Sequence, residues 1–281
     1  MKYVMTLQCA DRPGIVHAAS SAIVVVGGNI LENDQFTDPV TGLFCMRTRF
    51  ETSDPEANAV KDRLLAELDG FAPQLGLREE DVRRRVLVLV STSDHCLVDL
   101  LYRRDLGDLP IDIAAVLSNH PTLQPLASRY EIPFHEIPSA REHPEAADAA
   151  LREHIARYEV DFVVLARYMQ VLSASVCEEL RGRAINIHHS FLPGFKGARP
   201  YHQAYERGVK LIGATAHFVT PDLDEGPIID QDVIRVSHAR TPSDLVALGR
   251  DVERRVLVQA VKLVAEDRVA LVGNRTVIFS Q

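Results

Sequence analysis

Cysteine is scarce and scattered: Cys9, Cys45, Cys96 and Cys177 form no Cys-x-x-Cys pair, so no zinc ribbon or dithiol redox motif can be built from local spacing. Long apolar runs are missing too. No stretch approaches the roughly 18 uninterrupted apolar residues of a spanning helix, and Met1-Lys2-Tyr3-Val4 starts no secretory signal. A cytoplasmic chain is expected. Positive charge is in deficit, with 31 Lys and Arg against 39 Asp and Glu and a formal net charge of -8, which disfavours nucleic acid as the main partner. The one short basic run, Arg83-Arg84-Arg85, precedes an apolar segment and reads as a solvated linker. What remains is an ordinary globular composition, 46 % hydrophobic and 25 % charged. At roughly 100–200 residues per domain, 281 residues leave room for two domains.

The first eighty or so residues alternate short strand-like and helix-like segments. Tyr3, Met5, Leu7 and Cys9 share one face of a first strand. Asp11-Arg12-Pro13-Gly14 supplies a polar cap and a proline suited to a first helical turn, and the apolar run Ile15 to Val26 predicts a helix that Gly27-Gly28 ends. Asn29 to Thr37 and Leu43 to Phe50 read as a strand pair, Asp54 to Leu68 as a second helix, and a last strand is expected near Leu77 to Val82. The order βαββαβ is the split βαβ arrangement.

A second pattern starts near Arg85. Val86-Leu87-Val88-Leu89-Val90 is a continuous apolar run of the kind that forms a parallel strand covered on both faces. Ile111 to Leu117 and Phe162 to Leu165 repeat it, separated by helix-like stretches such as Cys96 to Arg104 and Glu145 to Tyr158. A helix over Asp251 to Glu266 and a strand over Thr276 to Phe279 close the sequence. The expectation is a doubly wound, mainly parallel α/β sheet over residues 85–281, with the small βαββαβ domain over 1–84. Such sheets bind ligands just beyond the carboxyl ends of their strands. The loop after the first of these strands, Ser91-Thr92-Ser93-Asp94-His95, contains neither G-x-G-x-x-G nor Gly-Lys-Ser/Thr, which disfavours NAD and ATP.

Chemistry concentrates in two clusters. In Ile185-Asn186-Ile187-His188-His189-Ser190-Phe191-Leu192-Pro193, the period of two puts Asn186 and His188 on one face of a strand end and Ile187 and His189 on the other. An amide beside an imidazole can donate to a carbonyl oxygen that becomes negative, which suits acyl transfer. Spacing leaves open a hydrogen-bonded structural pair instead. The second cluster is a strand-like run, Gly213 to Val219, ending in the acidic turn Thr220-Pro221-Asp222-Leu223-Asp224-Glu225-Gly226-Pro227, and spacing does not choose among its three carboxylates. Ser190 lacks the flanking glycines of a G-x-S-x-G elbow, and His188, His189 and His217 lack the His-x-x-x-His spacing of a helical zinc site. No metal is therefore expected.

Asn-Ile-His-x-Ser-x-Leu-Pro, then a strand and Asp-x-Gly-Pro-Ile-Ile, with Leu165-Ala166-Arg167-Tyr168-Met169-Gln170-Val171-Leu172-Ser173 ahead of them, resembles the folate-dependent formyltransferase family over most of residues 86–281. The doubled His188-His189 and Lys196 to Tyr205 are similar to its deformylase branch. Asp-Arg-Pro-Gly after strand one and Gly-Gly-Asn-Ile entering strand two resemble an ACT domain, a ferredoxin-like regulatory module. The resemblance implies hydrolysis of 10-formyltetrahydrofolate to formate and tetrahydrofolate, within one-carbon metabolism and purine biosynthesis. No cofactor beyond the folate is implied. It places the catalytic roles on Asn186, His188 and Asp224, and the folate's pterin ring against Met169, Gln170, Val171, Leu172, Val219, Thr220 and Leu223; His217 is a further candidate, to orient the acid. It further implies a homo-oligomer, with Asp11 and Asn29 as contacts for an amino-acid effector. The alternatives are formyl transfer to an amine such as phosphoribosyl glycinamide, or a sensor without turnover. The loop Ser91 to Cys96 has no glycine to cradle a phosphate, which disfavours the first.

Overall fold

The computed structural model describes residues 1–53, 56–192, 194 and 200–280. Asp54, Pro193 and residues 196–199, quoted above within predicted segments, lie outside them. The chain divides into two compact units, one of residues 84–265 and the other of residues 1–83 together with everything from Glu266 onward.

The first unit runs β1 (Lys2–Ala10), α1 (Ile15–Val25), β2 (Asn29–Thr37), β3 (Leu43–Glu51), α2 (Ala57–Leu68) and β4 (Gln74–Glu79). Its antiparallel sheet has the order β2-β3-β1-β4. One face packs on α1 and α2 through Tyr3, Met5, Leu7, Phe50, Ile23 and Leu64. The expected βαββαβ order is present, with β4 beginning three residues earlier than predicted. Asp11 and Pro13 precede the first helix rather than capping it: Gly14 holds the N-cap position without a side-chain cap bond, and the Asp11 N–H donates to Gly42 O.

The second unit runs β5 (Arg84–Val90), α3 (His95–Leu106), β6 (Ile111–Ser118), α4 (Gln124–Arg129), β7 (Phe134–Glu136), α5 (Pro144–Arg157), β8 (Phe162–Leu165), α6 (Ala174–Glu179), β9 (Ala184–His188), α7 (Pro200–Glu206), β10 (Leu211–Phe218), β11 (Ile228–Arg235) and α8 (Pro242–Ala265). The sheet order is β11-β10-β9-β8-β5-β6-β7. β9 through β7 are parallel, and β10 and β11 continue the sheet antiparallel. Strands β5 and β8 are buried on both faces, as their unbroken apolar runs require. Leu87, Leu89, Val163, Leu165 and Ala184 face α5 and α6. Helix α8 packs against β9, β10, α3 and α7.

The hairpin β12 (Val269–Val272) and β13 (Arg275–Ile278) corrects the predicted boundary of 85–281. Its residues are held by the first unit: Val272 and Phe279 pack on Cys45, Arg275 pairs with Asp38 at 2.9 Å, and Arg268 shares Glu32 with buried Arg47. The reason is burial. Cys45 and Arg47 point away from the helix-covered face of β3, and without the hairpin that apolar and charged surface would stand uncovered.

Candidate active site

The cleft of about 630 Å³ in the second unit lies at the carboxyl ends of β8 and β9, where open α/β sheets bind ligands. The β9–β10 register sets Asn186 opposite His217 and His188 opposite Thr215. On the other side of β10 the pairing with β11 shifts between Ala216 and His217, with the extra residue, Ile229, on β11. Thr215, fully buried, accepts from the Leu192 N–H and donates to Ser190 O, while Ser190 Oγ donates to Gly194 O. Those bonds hold the turn beyond His188, and they leave Ser190 in a structural role.

His217 Nδ1 lies 2.9 Å from Phe218 O, which can only accept, so Nδ1 carries the proton. Nε2 then accepts from Asn186 Nδ2 at 3.3 Å, which fixes the orientation of the amide. Burial holds the His217 pKa below its ordinary value, despite the Phe218 carbonyl and the charge of Asp224, so the ring is neutral. Asp224 Oδ1 is 3.1 Å from His188 Nδ1 and 3.9 Å from His217 Nε2, the second beyond hydrogen-bond reach. Burial raises the Asp224 pKa, but the hydrogen bond from His188 and the neighbouring imidazoles outweigh it and leave the carboxyl below its usual value. His188 Nε2 is buried with no partner among the described residues.

The turn that delivers Asp224 depends on one close approach. A Cβ at Gly226 would sit 1.7 Å from Phe218 O and 3.1 Å from His217 Nδ1. Glycine lets the Phe218 N–H reach Pro227 O at 2.9 Å, pinning the loop to β10. Asp224 itself is left-handed at φ 58°, a state Asp tolerates better than most residues. Among Asp222, Asp224 and Glu225, the geometry brings Asp224 to His188.

The seven expected folate contacts, Met169 to Leu172 with Val219, Thr220 and Leu223, all line this cleft. Met169, Val171 and Leu223 are 57 %, 63 % and 63 % exposed, so they form an open apolar wall rather than core. Ser91 Oγ accepts from the Met169 N–H and fixes the start of that wall. Asp11 and Asn29 are not brought together: the strand register sets Asn29 level with Lys2, at the opposite end of β1 from Asp11. At about 3.3 Å per residue the nine steps from Lys2 to Asp11 make the separation roughly 30 Å. Asn29 Nδ2 bonds Glu51 at 3.3 Å.

A further group was not anticipated. Glu253, 1 % exposed on α8, accepts from Tyr201 OH at 2.7 Å on Oε1, and its Oε2 lies 2.8 Å from His95 Nε2 and 3.5 Å from Arg167 Nε. Burial raises its pKa, but the bonds and charges of His95, Arg167 and Tyr201 bring it below the ordinary value. His189 borders the group, its pKa lowered to about 4 by burial and by the charge of Arg167. His95, Cys96 and Glu253 have potential ligand atoms within 4.8 Å of one another. Both Glu253 oxygens and His95 Nε2 are already bonded to one another or to Tyr201, which leaves these donors committed within the group. A signal for Glu253 existed in the sequence: an acid flanked by Val252, Val256 and Leu257 falls on the apolar stripe of its helix.

A doubly wound sheet that gathers an amide, two imidazoles and a carboxylate beside an apolar cleft defines a formyl-transfer fold. The formyl transferase family profile matches residues 84–261. The chain is 48 % identical to a formyltetrahydrofolate deformylase of Corynebacterium sp. (strain P-1), over 99 % of this chain and 98 % of that one. Its structure superposes on a formyltetrahydrofolate deformylase from Pseudomonas syringae pv. tomato with TM-score 0.96 at 40 % identity, covering 100 % and 95 % of the two chains. A glycinamide ribonucleotide transformylase from Symbiobacterium toebii is more distant, with TM-score 0.67 at 36 % identity over 70 % of this chain and 95 % of that one. The chain belongs to the formyltetrahydrofolate deformylase family, enzymes of the hydrolase class. No helix among the described residues is long and apolar enough to cross a membrane.

Proposed function

We propose that the chain hydrolyses 10-formyltetrahydrofolate to formate and tetrahydrofolate in the cytoplasm. The observation that supports this most directly is the buried, unpartnered Nε2 of His188, backed by Asp224 and set on the same strand face as Asn186. With the pterin against Met169 to Leu172 and against Val219, Thr220 and Leu223, the formyl carbon lies before this group. Asp224 binds His188 Nδ1–H with one oxygen and holds the attacking water with the other. As the oxygen–carbon bond forms, the carbonyl oxygen becomes negative and takes hydrogen bonds from Asn186 Nδ2 and from His188 Nε2–H. The proton released by the water is taken up on the Asp224–His188 pair. Breaking the carbon–N10 bond transfers a proton to N10, and formate leaves. His217 acts through Asn186, presenting its second N–H to the substrate. No cofactor is needed.

The first unit we read as an ACT-type regulatory domain that pairs with a second copy. Asp11 and Asn29 lie too far apart to touch one effector within a chain, so an amino acid bound by both must bridge two copies. Titration of amino acids into the turnover assay, with light scattering to follow assembly, tests this; no effector changing either quantity refutes it. For the reaction, purified protein is incubated with 10-formyltetrahydrofolate and no amine. Equal release of formate and tetrahydrofolate is expected. Absence of release until a phosphoribosyl amine is supplied would make the chain a transferase.

A further inference from the structure

The stretch that receives the pterin, Met169 to Leu172, belongs to no helix or strand: it joins β8, which ends at Leu165, to α6, which starts at Ala174. No ladder fixes such a segment, so its course depends on side-chain bonds. At its start Ser91 Oγ accepts from the Met169 N–H at 3.0 Å and donates to Asn119 Oδ1 at 2.7 Å, which ties it to the ends of β5 and β6. Just past its end Ser173 Oγ donates to Asp148 of α5 and accepts from the Val176 N–H at 3.3 Å, capping α6. Between these two anchors lies Gln170.

Gln170 is half-buried between two open side chains, Met169 and Val171. Its Oε1 accepts from Ser139 Oγ at 3.1 Å and from the Arg141 N–H at 3.2 Å, while its Nε2 donates to Met169 O at 3.0 Å. The partners fix which way the amide points, because a main-chain N–H can only donate and a carbonyl can only accept. Three of the four hydrogen bonds open to a glutamine amide are thus made within the protein. Ser139 and Arg141 belong to the turn between β7 and α5. That turn leaves the sheet after Ile137, whose N–H donates to Ser118 O at 2.8 Å, and it closes on Ser139 O, which accepts from the N–H groups of Glu142 and His143 at 3.1 and 2.8 Å.

We propose that Gln170 is a positioning residue for folate: its amide latches the turn from Ser139 to His143 onto the cleft wall and so holds the main chain of Met169 to Leu172 in the course that receives the ring. The inference rests on the folate reading of the cleft and deepens it. A place on the wall would by itself make Gln170 a contact through its side chain. The bonds instead commit its carbonyl oxygen to the turn and one amide hydrogen to its own neighbour. The residue type follows from those partners. Leucine offers no acceptor to the turn, and glutamate sets a carboxylate oxygen against Met169 O.

The test uses the full chain with 10-formyltetrahydrofolate and three variants: Ser139→Ala, Gln170→Leu and the two combined. One neutral hydrogen bond corresponds to roughly a factor of two to ten. KM should rise about threefold in Ser139→Ala and about tenfold in Gln170→Leu, with kcat lowered by less than about threefold in each. Because both substitutions break the same latch, the combined variant should also stand at about tenfold, not at the product of the two. Amide exchange followed by mass spectrometry, without folate, should be faster over residues 139–143 in Gln170→Leu than in wild type. A silent Ser139→Ala, effects that multiply, a kcat loss as large as the KM rise, or unchanged exchange overturns the proposal. If Gln170→Leu does not fold, Ser139→Ala carries both readouts with the same expectation and the same refutation. Wild type that releases no formate would refute the folate reading instead, and the exchange comparison still decides whether the latch exists.

Discussion

Replacing Asp224 by Asn separates the charge of that residue from its geometry. Asn is among the few side chains that tolerate φ near 58°, so the turn between Thr220 and Pro227 should keep its course. The carbonyl of Asn can still accept from His188 Nδ1 at the 3.1 Å now spanned by Oδ1. What disappears is the carboxylate, whose depressed pKa shows that its surroundings are built for a negative charge. A positioned acid–base group contributes roughly 10²–10⁴ in rate, or about 3–5 kcal/mol of barrier at about 1.4 kcal/mol per tenfold. Formate release at saturating folate should fall by that factor, while the melting temperature stays close to wild type. Asp224→Ala supplies the contrast: alanine in a left-handed conformation costs about 1–2 kcal/mol, so it should lose both turnover and stability. A folded Asp224→Asn enzyme with near wild-type turnover would show that the charge does no work on the formyl group.

Asn186→Ala removes a donor to the oxyanion and should cost roughly 10²–10³ in kcat with little change in KM; a KM effect alone would move Asn186 from the transition state to substrate binding. Gly226→Ala drives a methyl into Phe218 O, and overpacking of this kind costs about 1–3 kcal/mol or more. Denaturant unfolding should show that loss together with reduced turnover, and an unchanged midpoint would mean that the turn gives way freely. His189, with its pKa lowered from 6.5 to about 4, binds its proton more readily unfolded than folded. Its contribution is therefore complete above pH about 6.5 and lost as pH falls toward about 4, up to roughly 3 kcal/mol. The buried neutral His217 acts in the same direction. Unfolding free energies at pH 7.5 and 4.5 should differ less in His189→Gln than in wild type, and an equal difference would refute the assignment.

Local pattern carried much of this molecule. The apolar runs at Val86 to Val90 and Phe162 to Leu165 are strands because both of their faces are covered, and an unbroken hydrophobic stretch has no other cheap solution. The period of two set Asn186 and His188 on one face, and the register with β10 then brought His217 opposite Asn186. The choice of Asp224 over Asp222 and Glu225 was not local. It follows from a left-handed residue and the Gly226 contact with β10, neither of which spacing encodes. The Glu253 group is farther out of reach, since it joins side chains from α3, α7, α8 and the end of β8 whose proximity exists only after folding. The hairpin from Val269 to Ile278 misled the boundary for the same reason. Its own alternation says strand, but nothing in it names the sheet it will cover.

That hairpin makes the first unit discontinuous in sequence: residues 84–265 are an insertion between two pieces of one small domain. The domain cannot be excised as residues 1–83 without stripping the cover from Cys45 and the counter-charges from Arg47 and Asp38. Conversely, a truncation or bulky fusion at the C-terminus would first be felt some 230 residues upstream, at Gln8, Asp38 and Cys45, rather than in the neighbouring α8. The catalytic unit is tied at both of its ends to the same small domain, so a gene fragment encoding either unit must respect a boundary that is crossed twice.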